Sequence, residues 1–120
     1  MLRAQNPAIP RVGLGQYDWD TEVLHGIFSN HGNFPPDVVP SPTLFPNGVG
    51  LAATFDTALI EQVGSTIATE QRALNNKVRA AARAPVESGQ YQGVNGYAPN
   101  CNLYRDPRWG RAQETFGTAI

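Results

Sequence analysis

The chain has 120 residues, a formal net charge of −1 and only 16% charged residues. That balance excludes the basic footprint of a nucleic-acid or anionic-membrane partner. One cysteine, Cys101, excludes an intrachain disulfide and a cysteine metal cluster, and no stretch approaches the ~18 apolar residues of a membrane span.

Met1 to Gln16 has no clear period and contains two prolines, so it reads as an irregular lead-in; Arg3 is followed by no apolar stretch, and no signal peptide is visible. Tyr17 to Gly26 mixes aromatics and acids before Val23-Leu24, which suits a short strand and loop. Ile27 to Gly48 carries Pro35-Pro36, Pro40, Pro42 and Pro46 among Asn and Gly, which is loop chemistry. Val49 to Ala53 reads as a brief buried strand. The spacing then predicts a helix from Asp56 to about Asn76. Thr54 or Asp56 can cap its first free amides, and Ile60, Val63, Ile67 and Leu74 recur as one buried face requires. Gly64 reads as a close-packing position, and Asn75-Asn76 as the stop. Tyr97-Ala98-Pro99 begins or ends the next strand.

The run from Gly96 to Gly117 is the richest in chemistry. It sets Arg105, Arg108 and Arg111 among Tyr97, Tyr104 and Trp109 on a backbone held by Pro and Gly. Guanidinium forks beside flat apolar rings suit a polar ligand with apolar faces, such as a sugar. Arg-Asp-Pro-Arg reads as a turn in which Asp106 bonds the backbone ahead of it.

This run resembles the Ala-Pro-Asn…Arg-Asp-Pro-Arg-Trp-Gly-Arg…Glu signature of family 3 glycoside hydrolases, the β-glucosidases and β-xylosidases. Tyr17 to Gly26 is similar to the family's Tyr-x-Trp-Trp-Ser-Glu-Ala-Leu-His-Gly, with Asp20 in place of the second Trp. Thr43 to Pro46, Leu51 to Asp56 and Thr69 to Asn76 match in order, and the likeness covers roughly residues 10 to 117. Lys77 to Asn95 departs from it and reads as an insertion or an unspliced stretch.

The resemblance implies an α/β chain: the first two or three βα units of a (β/α)₈ TIM barrel, a fold of about 250 residues. Residues 1–120 then form an amino-terminal fragment of that domain. It implies that Glu22 and Arg111 hold hydroxyls of the innermost sugar, with Trp109 and Glu114 as weaker candidates. A guanidinium can hold two neighbouring hydroxyl oxygens, and a carboxylate can accept from two. The alternative for Arg111 is a brace to Asp106 or Glu114, and for Glu22 a solvated acid. The alternative for Trp109 is a core or loop anchor, ahead of stacking on a sugar, and for Glu114 an arginine-orienting role, ahead of direct sugar contact. Arg105, Asp106 and Arg108 read as structural, His25 as a structural histidine, and Cys101 as a small buried hydrophobe.

A retaining glycosidase needs a nucleophile and an acid/base, and no Asp or Glu here matches either family position, so no residue of this chain is expected to be catalytic. The implied activity is that of a retaining exo-acting β-xylosidase or β-glucosidase in plant cell-wall polysaccharide breakdown. The implied partners are a β-linked oligosaccharide or an aryl glycoside, without cofactor, metal, nucleic acid or membrane. Secretion is implied by the resemblance alone. The alternatives are a non-catalytic sugar-binding or interaction protein derived from the scaffold, and a non-folding gene remnant.

Overall fold

The computed structural model describes residues 5–19, 21–27, 42–81 and 93–117. They form a small mixed structure of two short strands and two helices, β1 (Gln5–Asn6), β2 (Tyr17–Asp18), α1 (Gly48–Ala52) and α2 (Thr57–Ala81), with 3₁₀ turns at Pro10–Val12 and Ala112–Glu114.

The lead-in is a hairpin rather than irregular chain. β1 and β2 pair antiparallel, with Gln5 opposite Asp18 and Asn6 opposite Tyr17. Ile9 and Leu14 bridge inside the connection, and Gly13, at φ +69°, reverses it with its amide on the Pro10 carbonyl. A pair this short has no alternating apolar pattern to betray it. Trp19 stacks obliquely on Tyr17 with ring centres 4.6 Å apart, and its indole N–H donates to Asn6 Oδ1 at 3.1 Å.

Residues 49–53 are not a strand. α1 takes up most of them, and the amides of Leu51 and Ala53 donate to the Asn47 and Val49 carbonyls, both at 3.1 Å. A short apolar run carries no period that separates helix from strand. Leu51 is buried, and Gly48 lies close to the Thr115 carbonyl, where an added Cβ would stand 3.2 Å away.

α2 begins where expected. Asp56 Oδ1 accepts from the Leu59 amide at 3.0 Å, and Thr54 Oγ accepts from the Asp56 amide at 3.2 Å. Asp56→Ala is therefore expected to cost about 1 kcal/mol, read as a lower urea midpoint of the helix signal; an unmoved midpoint would mean the cap contributes nothing.

The helix does not stop at Asn76. It continues to Ala81 because asparagine is only a weak breaker, while Val78-Arg79-Ala80-Ala81 propagates well. Half-buried Val78 also extends the stripe of Leu74. The first residues of the expected insertion thus belong to α2, and residues 82–92 lie outside the described ones. The stripe contains one polar member. Gln71 is buried and donates to the Asn95 carbonyl at 2.6 Å, which answers its desolvation cost. Gly64 does not mark close packing, since a Cβ there would meet nothing within 4 Å.

The core joins these pieces through Ile27, Leu51, Val63, Leu74 and Ala112, all buried. α2 separates two extended segments in sequence, and they approach side by side. Glu22 and Tyr97 form a parallel bridge, and the Tyr97 amide donates to the Thr21 carbonyl at 2.8 Å. Strand, helix, parallel strand is the order of a βαβ connection, here reduced to a single bridge. Among the described residues no helix is long and apolar enough to cross a membrane.

Candidate functional site

Beside the Glu22–Tyr97 bridge lies a cleft of about 340 Å³, lined by Glu22, Leu24, Tyr97, Ala98, Asn100, Arg111 and Glu114. The lining residues at 24, 98 and 100 follow the two bridged positions, so the cleft sits where the extended segments give way to loops.

Glu22 turns its carboxylate back on its own backbone. Oε1 accepts from the amides of Val23 at 3.0 Å and Leu24 at 2.9 Å. Among the described residues no bond reaches Oε2, which keeps its capacity to accept.

Arg111 and Glu114 meet because the 3₁₀ turn Ala112–Glu114 brings positions three apart together. Arg111 Nε donates to Glu114 Oε1 at 3.0 Å and Oε2 at 2.9 Å, and Nη2 donates to Oε2 at 2.5 Å. Asn100 Nδ2 donates to the same Oε2 at 2.8 Å. The Arg111 hydrogen bond holds the Glu114 carboxyl below the ordinary glutamate value, with Asn100 adding a smaller contribution. Glu114 in turn raises the Arg111 guanidinium, and the charge of Glu22 acts in the same direction.

A guanidinium has five N–H donors. Glu114 occupies Nε and one hydrogen of Nη2, so both hydrogens of Nη1 and one of Nη2 have no partner among the described residues. With 66% of the Arg111 side chain exposed, those donors are open to a ligand. Tyr97, 46% exposed, adds an aromatic wall. The cleft therefore offers several fixed donors, an idle carboxylate oxygen and a ring face within one small volume.

Glu22, Arg111 and Glu114, three of the residues singled out in the sequence, line this cleft, and Glu114 pairs with the arginine. Trp109 does not line it; half-buried, it donates its amide to the Asp106 carbonyl at 3.0 Å. The Arg-Asp-Pro-Arg turn closes on itself. Asp106 Oδ1 accepts from the Arg108 amide and Nε, both at 2.9 Å, and Arg108 Nη2 reaches Oδ2 at 2.5 Å. Arg108 thereby lowers the Asp106 carboxyl, and Asp106 raises the Arg108 guanidinium.

Cys101 is exposed rather than a buried hydrophobe, because the chain here runs along the surface with Asn102 also exposed. His25 is half-buried, and its carbonyl accepts from the Phe45 amide at 2.7 Å. Asp20 and His31 lie outside the described residues. Among the described residues no group of His, Cys, Asp and Glu could hold a metal ion.

No protein-family model matches the sequence. Individual curated relatives do. The Aspergillus terreus protein named "Probable exo-1,4-beta-xylosidase bxlB" is 40% identical over 119 residues, which covers 93% of this chain and 13% of the relative. Beta-D-xylosidase 1 of Arabidopsis thaliana is 39% identical over 111 residues, 92% of this chain and 13% of its own length. Beta-xylosidase/alpha-L-arabinofuranosidase 2 of Medicago sativa subsp. varia is 36% identical over 110 residues, 91% and 13%. Over nearly its whole length the chain is similar to a stretch of these β-xylosidases, consistent with the resemblance to family 3 glycoside hydrolases. It spans about 13% of the length of these relatives. Within the Arg-Asp-Pro-Arg-Trp-Gly-Arg run the second and last arginines differ in use: Arg108 is closed on Asp106, while Arg111 keeps donors open to the cleft.

Proposed function

We propose that the cleft is the subsite for the terminal sugar of a β-linked xyloside or glucoside in a retaining, exo-acting β-glycosidase. The observation that carries this reading is that the unpartnered donors of Arg111 and the carboxylate of Glu22, whose Oε2 meets no bond among the described residues, line one cleft. Vicinal hydroxyls each donate one hydrogen and accept another, so a donor edge and an acceptor in one cleft answer both halves of a diol. Tyr97 can cover an apolar sugar face.

The parallel bridge, with α2 as its crossover and the cleft on the loops that follow, supports a partial (β/α)₈ barrel, where sites occupy that end. The relatives' names support a β-xylosidase; action on plant cell-wall polysaccharide and an extracellular place of work belong to the same proposal.

In this reading the chain grips and other residues cut. A general acid must be protonated at working pH, and Glu114, whose carboxyl the Arg111 hydrogen bond holds below the ordinary glutamate value, is unsuited to that role. Its Oε2 already meets three donors, which blunts it as a nucleophile. Glu22 has one oxygen tied to two backbone amides. The two carboxylates of the retaining reaction, which stand about 5–5.5 Å apart, are assigned outside residues 1–120.

The purified 120-residue chain is therefore expected to release no nitrophenol from nitrophenyl β-xyloside, while methyl β-xyloside shifts the amide resonances of Leu24 and Ala98. Nitrophenol release would overturn the division of labour. Silent resonances at saturating glycoside would overturn the subsite.

A further inference from the structure

Asn100 reaches Glu114 twice. Its backbone amide donates to the Glu114 carbonyl at 3.1 Å, and its side-chain Nδ2 donates to Glu114 Oε2 at 2.8 Å. The same oxygen accepts from Arg111 Nε and Nη2. One carboxylate oxygen is thus the point at which the segment after Tyr97 meets the arginine of the cleft.

An exposed arginine–glutamate pair three residues apart is ordinarily loose. Its net stabilisation is small, because two long side chains must be held in one geometry. This pair is of that kind by exposure, 66% for Arg111 and 31% for Glu114. A third donor arriving from a different segment changes the situation. It restricts rotation of the carboxylate, and a fork-to-carboxylate contact transmits the orientation of one plane to the other. The guanidinium donors that Glu114 does not use are then presented to the cleft in one direction rather than several. Pre-orientation of this sort improves affinity by reducing the ordering that binding must complete.

We infer that Asn100 is a positioning residue whose side-chain amide locks Glu114 and so sets the plane of the Arg111 guanidinium; its consequence for sugar binding rests on the subsite reading above. The residue type matters. Asparagine carries a donor at this point, whereas aspartate carries only acceptors when ionised and would set a second negative charge against Glu114. The backbone bond between the same residues does not depend on the side chain, so substitution removes the lock and leaves the segment attached.

The experiment is a carboxyl-selective NMR titration of Glu114 in the 120-residue chain, as wild type, Asn100→Ala and Asn100→Asp, alongside binding of methyl β-xyloside. The Glu114 midpoint is expected to rise in both variants, further in Asn100→Asp. Glycoside affinity is expected to fall about three- to tenfold in Asn100→Ala, the worth of one net hydrogen bond. Backbone amide dispersion is expected to stay as in the wild type. A Glu114 midpoint that moves in neither variant overturns the inference. So does loss of the folded spectrum in both, which would make Asn100 a support of the chain rather than of the pair. A wild type that ignores the glycoside while its Glu114 midpoint still climbs on substitution overturns the subsite reading and leaves the lock standing.

Discussion

Gly26→Ala is expected to abolish the folded state. Gly26 has φ +120°, a region that L side chains rarely adopt, and a Cβ there would stand 2.2 Å from the Thr43 carbonyl oxygen. The obstacle is backbone, so no rotamer change relieves it. Nor can the obstructing segment retreat. Thr43 is tied to α2, its amide on Glu70 Oε2 at 3.0 Å and its hydroxyl on Glu70 Oε1 at 2.6 Å. Two residues on, the Phe45 amide donates to the His25 carbonyl at 2.7 Å. Backbone strain of about 1–3 kcal/mol combines with overpacking of about 1–3 kcal/mol. Together they approach the ~5–15 kcal/mol that holds a typical domain, and this core is thin. Thermal melting of the helix signal should lose its cooperative transition. Gly64→Ala is the counterpart: it lies inside α2 with open space around it, and should gain roughly 1 kcal/mol. Equal melting curves for the two variants would sink the argument.

Arg111→Lys is expected to weaken glycoside binding by about thirtyfold, the equivalent of one charge-assisted hydrogen bond of ~2 kcal/mol. The charge survives, but the fork does not. An ammonium cannot engage Glu114 through two parallel donors and still present a planar edge to the cleft. Loss of the guanidinium also removes the principal cause of the low Glu114 carboxyl, so its midpoint should rise toward the ordinary glutamate value. Both changes are read in one NMR titration series with methyl β-xyloside. Affinity within twofold of wild type would show that charge alone suffices and that the fork has no part in recognition.

The start of α2 was legible in the sequence because Asp56 and the stripe from Ile60 to Leu74 are local signals that agree. Its end was not, because Asn75-Asn76 is too weak a stop against the alanine-rich turn beyond it. α1 was misread as a strand because a run of four or five apolar and small residues has no period to measure. The Arg111–Glu114 pair was within reach of sequence reasoning, since their spacing fits one turn. Tyr97 and Asn100 belong to the motif, yet nothing in it marks them as walls of the site. What makes them so is the parallel approach of residues 21–22 and 97, and no pattern within either segment records that approach. Cys101 was misplaced for a related reason: side-chain size suggested burial, but only the course of the chain decides which side faces outward.

The Glu22–Tyr97 bridge also orders events in time. α2 is built from contacts near in sequence, and a helix of its length relaxes in about a microsecond or less. The bridge spans the whole of α2 and both flanking connections, and its closure entropy must be met before its few bonds reward it. Arg111 and Glu114 pair locally and early, whereas Glu22 joins them only when the two extended segments dock. The Glu22 side of the cleft is thus expected to form after the Arg111–Glu114 pair, and the solvent exchange of the Tyr97 amide proton, held on the Thr21 carbonyl, reports that docking.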